Sequence, residues 1–323
     1  MSEPTRPTLS VVIPCLNEGS HLASSLEKVA QILDGLGLSY ELVVIDDGSS
    51  DDTWQVLREK ARVRPDLRAF RLSRRFGKEL ALCAGLERAR GAGILVMDAD
   101  LQHPPTLIPE MVRAWREEGY DVVEAVKTDR GREPLLARLG AGAFHALFQR
   151  LSGFDLAGAS DFKLLDRKVL LAWAEMSERN VFFRGMSAWL GFRRKTLPFA
   201  VEPRAGGRSG WSGLRLVRLA LNGITAFSSL PIQVIPLMGL VFLVFAVLLA
   251  IQTLYNKIYG GAETGFTTVI VLVLMVGSMI MIGLGVIGLY VSRIYEEVKG
   301  RPRYVITEET GEGAGSSATP GQR

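Results

Sequence analysis

Two long stretches without a formal charge, near the C-terminal end, constrain the fold of this chain more than any other feature. They cover residues 219–256 and 264–292, and no comparable stretch precedes them. A bilayer core about 30 Å thick is crossed by about 20 helical residues, so each stretch can hold one membrane-spanning helix. We place these helices at residues 232–255 and 267–291. The alternative, two buried helices of a soluble core, is disfavoured by the length of the stretches.

The segment ahead of the first span, residues 201–231, is predicted to lie along the membrane surface. At about 1.5 Å per residue the first uncharged stretch is too long for a single crossing. Pro231 and Pro236 favour a break between its early part and the span. Trp211 and Arg215 belong to a run of apolar and basic residues that is typical of an interfacial helix.

Basic residues flank the two predicted spans on one side of the membrane only. Residues 193–218 are strongly basic and further arginines and lysines follow the second span, whereas the loop between the spans carries only Lys257 and Glu263. The positive-inside rule therefore predicts a hairpin with both termini in the cytoplasm. This arrangement is that of a multi-pass protein of the plasma membrane.

Four glycines in the second predicted span allow close helix packing: Gly277, Gly283, Gly285 and Gly288. Such packing would let the spans of two or more chains associate, which predicts a homo-oligomer as one outcome. Isolated glycines are common in membrane spans, so packing within one chain is the alternative.

The two ends of the chain have compositions typical of irregular structure. Residues 1–8 lack the charged and apolar regions of a signal peptide and are predicted to be flexible. Residues 292–323 form a predicted cytoplasmic tail. We expect the tail to be disordered from Thr307 onward, because this part is rich in Gly, Ser and Thr.

Composition excludes several classes of protein. With 48% apolar and 22% charged residues, the chain is neither a disordered nor a collagen-like protein. The net charge of +4 and the pI near 9.1 are too mild to indicate a nucleic-acid partner. The two cysteines, Cys15 and Cys83, cannot form a disulfide framework and match no structural zinc spacing, so we expect reduced thiols.

Residues 9–200 alternate short apolar runs with amphipathic stretches. Runs of strand length lie at 9–14, 41–46, 67–73, 93–98 and 121–126. Strands that alternate with helices at this spacing predict βαβ units on a mostly parallel sheet, with ligands bound at the carboxyl ends of the strands. The fold class is therefore α/β, followed by the two-helix hairpin.

Acidic and polar residues follow three of these predicted strands. The first ends in Pro14-Cys15-Leu16-Asn17-Glu18, the second in Asp46-Asp47-Gly48-Ser49, and the fourth in Asp98-Ala99-Asp100-Leu101-Gln102. Because the carboxyl ends of parallel strands meet at one edge of a sheet, we expect the three clusters to converge. Two carboxylates separated by one residue can hold a hard divalent ion such as Mg²⁺ or Mn²⁺, and Asp98 and Asp100 are the predicted ligands. Turn formation and helix capping are the alternative for either carboxylate.

Seven ordered motifs give the chain a family resemblance. They are VVIPCLNE, VVIDDGSSDDT, SRRFGKELAL, VMDADLQHPP, ASDFKLLDR, FFRGMSAWLGF and RAGGRSGWS, and two membrane helices follow. With them the chain resembles family 2 glycosyltransferases, and within that family it is similar to the polyprenyl-phosphate glycosyltransferases, the group of dolichol-phosphate mannose synthase and the GtrB-type enzymes. The resemblance implies the Rossmann-like GT-A fold and inverting transfer of one sugar from a nucleotide sugar to a polyprenyl phosphate on the cytoplasmic face. UDP is favoured over GDP by similarity to the GtrB-type branch.

The same resemblance implies a role for individual residues. Nucleotide-sugar binding falls to Pro14, Leu16, Glu18, Asp46, Asp47, Asp98 and Ala99, and metal binding to Asp98, Asp100 and Gln102. Asp161 matches the proposed catalytic carboxylate and would act with Asp98, although a turn or capping acid is the alternative. His103, beside the metal motif, is expected to be a loop residue rather than a ligand.

The acceptor phosphate monoester is already ionised near pH 7, so it needs positive charge more than a base. The candidates for holding it are Lys127, Arg130, Arg132, Arg138, Arg204 and Arg208, since a guanidinium group in particular suits phosphate oxygens. The family resemblance favours Arg130, Arg138 and Arg204, with Arg208 as a further candidate, and a solvated helix face is the alternative for each. Two positions depart from the family pattern: Gly210 stands where relatives have a lysine that Arg208 would replace, and Arg75 stands where they have asparagine.

Two other functions share parts of this pattern. A processive polysaccharide synthase has the same sheet and paired carboxylates, but it generally carries a QxxRW motif and more spans, which this sequence lacks. A membrane-tethered protein that binds nucleotide sugars without catalysis is the other alternative, and the intact Asp98, Asp100 and Asp161 disfavour it. Transfer to another lipid, such as diacylglycerol, is also compatible with the sequence.

Overall fold

The computed structural model describes residues 6–127, 159–176, 183–199, 230–259 and 265–310. The chain divides into two compact units. The first comprises residues 1–146, 154–210 and 301–323, and the second comprises residues 147–153 and 211–300. The last residues of the chain therefore belong to the same unit as its first half.

Strands and helices alternate through the first part of the chain, as the sequence predicts. The elements are β1 (Leu9–Cys15), α1 (Gly19–Asp34), β2 (Tyr40–Asp46), α2 (Thr53–Val63), β3 (Leu67–Leu72), α3 (Lys78–Arg88), β4 (Gly93–Val96), a 3-10 turn (Pro105–Leu107), α4 (Ile108–Arg116) and β5 (Val122–Lys127). After the gap follow β6 (Ala159–Asp166), α5 (Arg167–Ala174), α6 (Phe183–Trp189) and β7 (Arg194–Phe199). The two apolar helices are α7 (Leu230–Ile258) and α8 (Phe266–Val298), and β8 (Ile306–Glu309) comes last.

In the described part of the chain, the strands form one eight-stranded sheet in the order β7-β5-β6-β4-β1-β2-β3-β8. Strands β4, β1, β2 and β3 are parallel neighbours, and β5 is parallel to β7. Strand β6 runs antiparallel to both β4 and β5, and β8 runs antiparallel to β3. This mixed, mostly parallel sheet with helices confirms the predicted α/β class.

Burial explains why the central strands form. Every residue of β1 is buried, and so are all but the first residue of β2. A strand covered on both faces requires a nearly continuous apolar run, and Leu9–Cys15 and Tyr40–Asp46 have that composition. The carboxyl ends of β1, β2 and β4 consequently lie side by side, which brings the three predicted clusters to one edge.

The end of the chain departs from the prediction of disorder. Residues 306–309 form strand β8, so the expectation of disorder from Thr307 is wrong for Thr307, Glu308 and Glu309. Backbone bonds link Ser73 to Val305 and Thr310 to Ala69, both at 2.9 Å. We call residues 303–310 the C-terminal strap. The strap covers the outer edge of β3, an edge strand that would otherwise expose unpaired N–H and C=O groups.

Helices α7 and α8 form the described part of the second unit. Their most apolar windows, Ile235–Gln252 and Met275–Ser292, have mean hydropathies of 2.6 and 1.9, with 0% and 6% of the residues buried. Exposed apolar helices of this length suit a membrane and not the core of a soluble protein. Helix α7 begins at Leu230 and continues through Pro236, so it is not broken at Pro236, and the residues ahead of Leu230 lie outside the described part of the chain.

The two helices contact each other at one of the four predicted glycines. Gly283 is buried, and a Cβ atom built there would lie 3.4 Å from Cγ2 of Ile235. In the described part of the chain nothing lies within 4 Å of such an atom at Gly277, Gly285 or Gly288. The contact at Gly283 follows the expectation of packing within one chain, and the homo-oligomer stays a prediction.

Candidate active site

The loops after β1 and β2 are tied together by side chains. The N–H of Asn17 donates to Oγ of Ser49 at 2.9 Å, and Oδ1 of Asn17 accepts from the N–H of Ser50 at 2.9 Å. Asn17 has a φ of 56°, a left-handed conformation that asparagine tolerates better than most residues. These bonds fix two of the predicted clusters in one place.

Asp46 and Asp47, at the end of β2, have different partners. Asp46 is completely buried, and its Oδ1 accepts from the N–H of Ser49 at 2.9 Å. Its Oδ2 lies 3.4 Å from Nε of Arg71. Asp47 instead reaches the loop before α3, where it accepts from the N–H of Phe76 at 2.7 Å and from that of Gly77 at 2.9 Å.

The contacts of Asp47 place the start of helix α3. Burial raises the pKa of Asp47 above its usual value, although the bonds from Phe76 and Gly77 oppose this shift. Gly48 must be glycine here, since its φ is 70° and a Cβ atom would lie 2.6 Å from the backbone of Arg74. Lys78, the first residue of α3, is thereby held at the same edge of the sheet.

Lys78 joins two carboxylates that come from different strands. Its Nζ lies 2.6 Å from Oδ1 of Asp98 and 2.7 Å from Oδ2 of Asp161. The antiparallel pairing of β4 and β6 sets Val96 opposite Lys163. Continuing this register by two residues would set Asp98 opposite Asp161, which explains why residues so distant in sequence meet.

The environments of these three groups differ. The side chain of Asp161 is only 4% exposed, that of Asp98 26% and that of Lys78 42%. Burial lowers the pKa of Lys78, but the negative charges of Asp161 and Asp98 outweigh it, and the pKa lies above its usual value. Lys78 is therefore positively charged at neutral pH and balances one of the two carboxylates.

The position of Asp161 answers the alternative raised from its sequence. It lies inside strand β6, whereas the acid of the same motif that caps a helix is Asp166, whose Oδ1 accepts from the N–H of Lys168 at 3.0 Å. Asp161 is therefore neither a turn nor a capping residue.

Lys78 lies in the motif SRRFGKELAL, but no role was predicted for it from the sequence. The helix dipole disfavours a cation at a helix N-terminus. A lysine at the first position of α3 is therefore a signal that could have identified it.

The predicted metal ligands form only part of a binding site by themselves. Asp100 is exposed, and its Oδ1 accepts from the N–H of Gln102 at 3.1 Å, which is the turn-forming alternative. Burial raises the pKa of Glu18, His21 lowers it, and the charge of Asp100 raises it, so Glu18 belongs to the same acidic region. Within the described residues, no three His, Cys, Asp or Glu side chains are gathered as a metal site.

This donor set still fits a hard divalent ion. Mg²⁺ is usually bound by one or two carboxylates together with phosphate oxygens of the substrate. Asp98 and Asp100 supply carboxylate oxygens at the sheet edge, and Oδ2 of Asp98 is not the oxygen that Lys78 contacts. A bound diphosphate would provide the remaining ligands.

His103 packs as a loop residue, as expected. It is 4% exposed, its ring stacks on Phe162 at a centroid distance of 5.2 Å, and it meets Phe199 edge-on at 5.9 Å. Its Nδ1 lies 4.0 Å from Oδ2 of Asp98. The ring thus supports the loop that carries Asp98.

The other predicted residues divide into two groups. Pro14, Leu16 and Ala99 lie at the same edge of the sheet, Pro14 as the partner of Ile45 in the parallel pairing. The four predicted phosphate-binding residues, Arg130, Arg138, Arg204 and Arg208, lie outside the described residues.

Cys15 and Cys83 are both buried and form no disulfide, and burial raises the pKa of each thiol, that of Cys83 to about 12.

Comparisons with known proteins show the family to which the chain is similar. Residues 10–170 match the family model described as glycosyl transferase family 2. An uncharacterized glycosyltransferase of Synechocystis is 37% identical over 93% of this chain and 95% of its own. A prophage bactoprenol glucosyl transferase homolog of Escherichia coli is 34% identical over 92% of this chain and 98% of its own. The bactoprenol glucosyl transferase of Shigella phage SfV is 33% identical over 93% of this chain and 98% of its own.

A solved structure is also similar to this chain. It is a mannosyltransferase from Pyrobaculum calidifontis in complex with GDP-Man and Mn²⁺, which is 23% identical. The match covers 66% of this chain and 61% of that chain, with a TM-score of 0.46.

Proposed function

The chain belongs to glycosyl transferase family 2 and is a glycosyltransferase, and we infer that it transfers one sugar from a nucleotide sugar to polyprenyl phosphate. The observation that carries this proposal is the extent of the similarity. Identity of 33–34% to proteins named bactoprenol glucosyl transferases covers 92–93% of this chain. It therefore includes both the α/β unit and the two apolar helices.

For the donor we propose a UDP-hexose, with UDP-glucose as the first to test. Relatives are named glucosyl transferases, and the sequence resemblance to the GtrB-type branch favours UDP over GDP. Pro14, Leu16, Glu18, Asp46, Asp47 and Ala99 would line the nucleotide pocket. The hydrogen bonds of Asn17 to Ser49 and Ser50 support this assignment, because they hold the loops after β1 and β2 in one fixed arrangement.

Asp98, Asp100 and Gln102 would hold a divalent cation, Mg²⁺ or Mn²⁺, beside the donor. When bound, this ion would neutralise the charge that develops on the departing diphosphate. Asp98 would also face the sugar, and Asp161 would orient the acceptor on the opposite side of Lys78. The burial of Asp161 beside a positively charged lysine supports a role for it as a carboxylate.

An oxygen of the acceptor phosphate would attack the anomeric carbon directly. The new bond joins that oxygen to the sugar, the bond between the sugar and the nucleoside diphosphate breaks, and the configuration inverts. The acceptor oxygen carries negative charge at neutral pH, so no strong base is needed. Arg130, Arg138, Arg204 and Arg208 would hold the phosphate.

The membrane arrangement completes the proposal. An isoprenoid chain stays in the bilayer, so its phosphate must be met at the headgroup level. Residues 201–231 would lie along this surface, between the α/β domain at 9–200 and the spans at 232–255 and 267–291. The α/β domain and the tail at 292–323 would be cytoplasmic.

Product analysis of membranes that contain this chain tests the proposal. With UDP-[¹⁴C]glucose and undecaprenyl phosphate, we expect a radioactive, acid-labile lipid whose mass corresponds to a single added hexose. Chelation with EDTA should abolish its formation, and Mg²⁺ or Mn²⁺ should restore it. The variant Asp100→Ala tests the assigned metal site, and it should remove turnover by weakening metal binding.

Other outcomes would contradict specific parts of the proposal. A polymer would indicate a processive synthase, and a labelled diacylglycerol would indicate another acceptor. Tight UDP-glucose binding without any product would indicate a binding protein. Full activity of Asp100→Ala would contradict the assigned metal site.

A further inference from the structure

The ammonium group of Lys78 links the donor-side carboxylate Asp98 to the acceptor-side carboxylate Asp161. Both contacts, at 2.6 and 2.7 Å, are as short as charge-assisted hydrogen bonds. Asp98 follows strand β4, and Asp161 lies in β6, which runs in the opposite direction. One side chain thus bridges two elements that reach the site from different parts of the sequence.

The backbone around Lys78 is fixed independently of its side chain. Asp47 binds the N–H groups of Phe76 and Gly77, the two residues that precede Lys78. On the other side, Oε2 of Glu79 accepts from the N–H of Phe183 at 2.9 Å. Lys78 therefore projects from an anchored position, which is required if its ammonium group is to set the spacing of other groups.

Lys78 also occupies a position that helix energetics disfavours. It is the first residue of α3, where the partial positive charge of the helix N-terminus repels a cation. A lysine without partners would be more favourable at a later position of the helix. At position 78, the attraction of the carboxylates of Asp98 and Asp161 offsets the repulsion by the helix N-terminus.

We propose that Lys78 is a positioning residue that holds the carboxylates of Asp98 and Asp161 at one fixed spacing during sugar transfer. Without its charge, the carboxylate of Asp98 and the buried carboxylate of Asp161 would repel each other. Asp161 would then leave the orientation in which it guides the acceptor phosphate toward the sugar. This inference rests on the proposed function, and it adds a residue that acts through Asp98 and Asp161 without contacting the reacting atoms.

A comparison of turnover with donor binding tests the proposal in the full-length chain. Lys78→Met removes the charge and keeps most of the length of the side chain. We expect it to lower kcat by about 100-fold, the effect of misplacing a group by about 1 Å, and to change the Kd for UDP by less than about threefold. Lys78→Arg restores the charge with a different geometry and should recover part of the lost kcat.

A double-mutant cycle separates positioning from general loss of structure. Asp161→Asn should lower turnover by itself, and Lys78→Met combined with it should lower turnover little further, since the lysine would have no carboxylate to position. The matched control is Lys60→Met, a lysine of α2 whose Nζ lies 3.4 Å from Oε2 of Glu27 away from the site. This control should retain wild-type kcat.

Each result decides between the two proposals. If the wild-type chain forms no glycolipid with any nucleotide sugar, the proposed function fails. If the wild type is active and Lys78→Met is equally active, or if the losses of Lys78→Met and Asp161→Asn multiply, only the role of Lys78 fails. Should Lys78→Met not fold, the same cycle with Lys78→Arg applies the same criterion.

Discussion

Lys163 and Glu124 form a buried ion pair close to the candidate site. Their side chains are 1% and 3% exposed, and Nζ of Lys163 lies 3.1 Å from Oε1 of Glu124. The two residues are opposite each other in the pairing of β6 with β5. Lys163 is two residues from Asp161 in β6, so both side chains point to the same face of the sheet. The pair therefore supports the strand that carries Asp161.

Removing one partner of this pair should destabilise the protein strongly. Lys163→Met would leave Glu124 buried with Arg194, at 3.9 Å, as its other cationic neighbour among the described residues. A buried charge that loses its partner typically costs about 3–5 kcal/mol, which lowers the thermal midpoint by on the order of 10 °C. We expect that shift in thermal unfolding of the detergent-solubilised protein.

Two further variants decide whether the charge is the cause. The double variant Lys163→Met with Glu124→Leu should recover most of the lost midpoint, because neither charge is then left alone. Lys60→Met, which breaks a half-exposed pair, should shift the midpoint by less than about 3 °C. A double variant as unstable as the single one would assign the loss to packing.

For individual residues, the sequence predicted those positions that depend only on nearby residues in the chain. Asp46, Asp98 and Asp100 were located because they directly follow apolar runs of strand length, and the ends of parallel strands share an edge. Lys78 was missed because its partners are set by the register of β6 against β4. That register is fixed by packing and pairing over the whole sheet, and no short pattern encodes it.

At the scale of elements, the C-terminal strap is linked through Arg71 to the loop after β2, which carries residues of the proposed nucleotide site. Glu308 accepts from Nη1 of Arg71 at 3.0 Å and from Nε1 of Trp54 at 2.9 Å. Arg71 also lies 3.4 Å from Asp46 and donates to the carbonyl oxygen of Ser49 at 3.2 Å. A strand that follows the second apolar helix thus contacts the arginine that supports the loop after β2.

Loss of the Glu308 carboxylate should weaken nucleotide binding without blocking it. In Glu308→Gln, Arg71 loses a charged partner and holds Asp46 and Ser49 less firmly. We expect the Kd for UDP to rise about threefold to tenfold, the effect of losing one contact to a charged group. Isothermal titration calorimetry on the solubilised protein measures this change.

Glu309→Gln is the matched control. Glu309 is the next residue of β8 and is exposed, so its replacement should leave the Kd unchanged. The pH dependence provides a second check. Burial raises the pKa of Glu308, but the hydrogen bonds from Trp54 and Arg71 lower it by more, so the pKa lies below its usual value. The contribution of the Glu308 carboxylate to the free energy of unfolding is therefore complete above the usual glutamate pKa. It is lost as the pH falls through the pKa of the folded state.

The strap also marks a limit of prediction from sequence. Ile306–Glu309 reads ITEE, a run with one strongly apolar residue in a tail rich in Gly, Ser and Thr. Nothing in so short a run indicates a strand. It becomes one because β3 offers an unpaired edge and because Arg71 and Trp54 both contact Glu308. The two long helices, in contrast, were predicted from charge and length alone.

For the whole molecule, the proposed orientation of the hairpin can be tested by chemical labelling. Cys15 and Cys83 are buried, and burial raises the pKa of both thiols, so a maleimide should react with an introduced cysteine first. In intact cells, a membrane-impermeant maleimide should label Gly261→Cys, in the loop between the spans. Ser317→Cys, in the tail, should react only after permeabilisation.

The labelling experiment has a clear contrary result. Reaction of Ser317→Cys in intact cells, with Gly261→Cys protected, would reverse the proposed orientation. The wild-type chain is the control for background reaction of Cys15 and Cys83. Activity of both variants in the glycolipid assay would establish that the introduced cysteines leave the fold intact.

The position of β8 in the chain also orders events during synthesis. The ribosome makes β3 long before β8, and both apolar helices are translated between them. Until β8 leaves the ribosome, the outer edge of β3 is unpaired and can pair with strands of other chains. The sheet can therefore be completed only after both apolar helices have been translated, and a chain released before β8 would keep the outer edge of β3 unpaired.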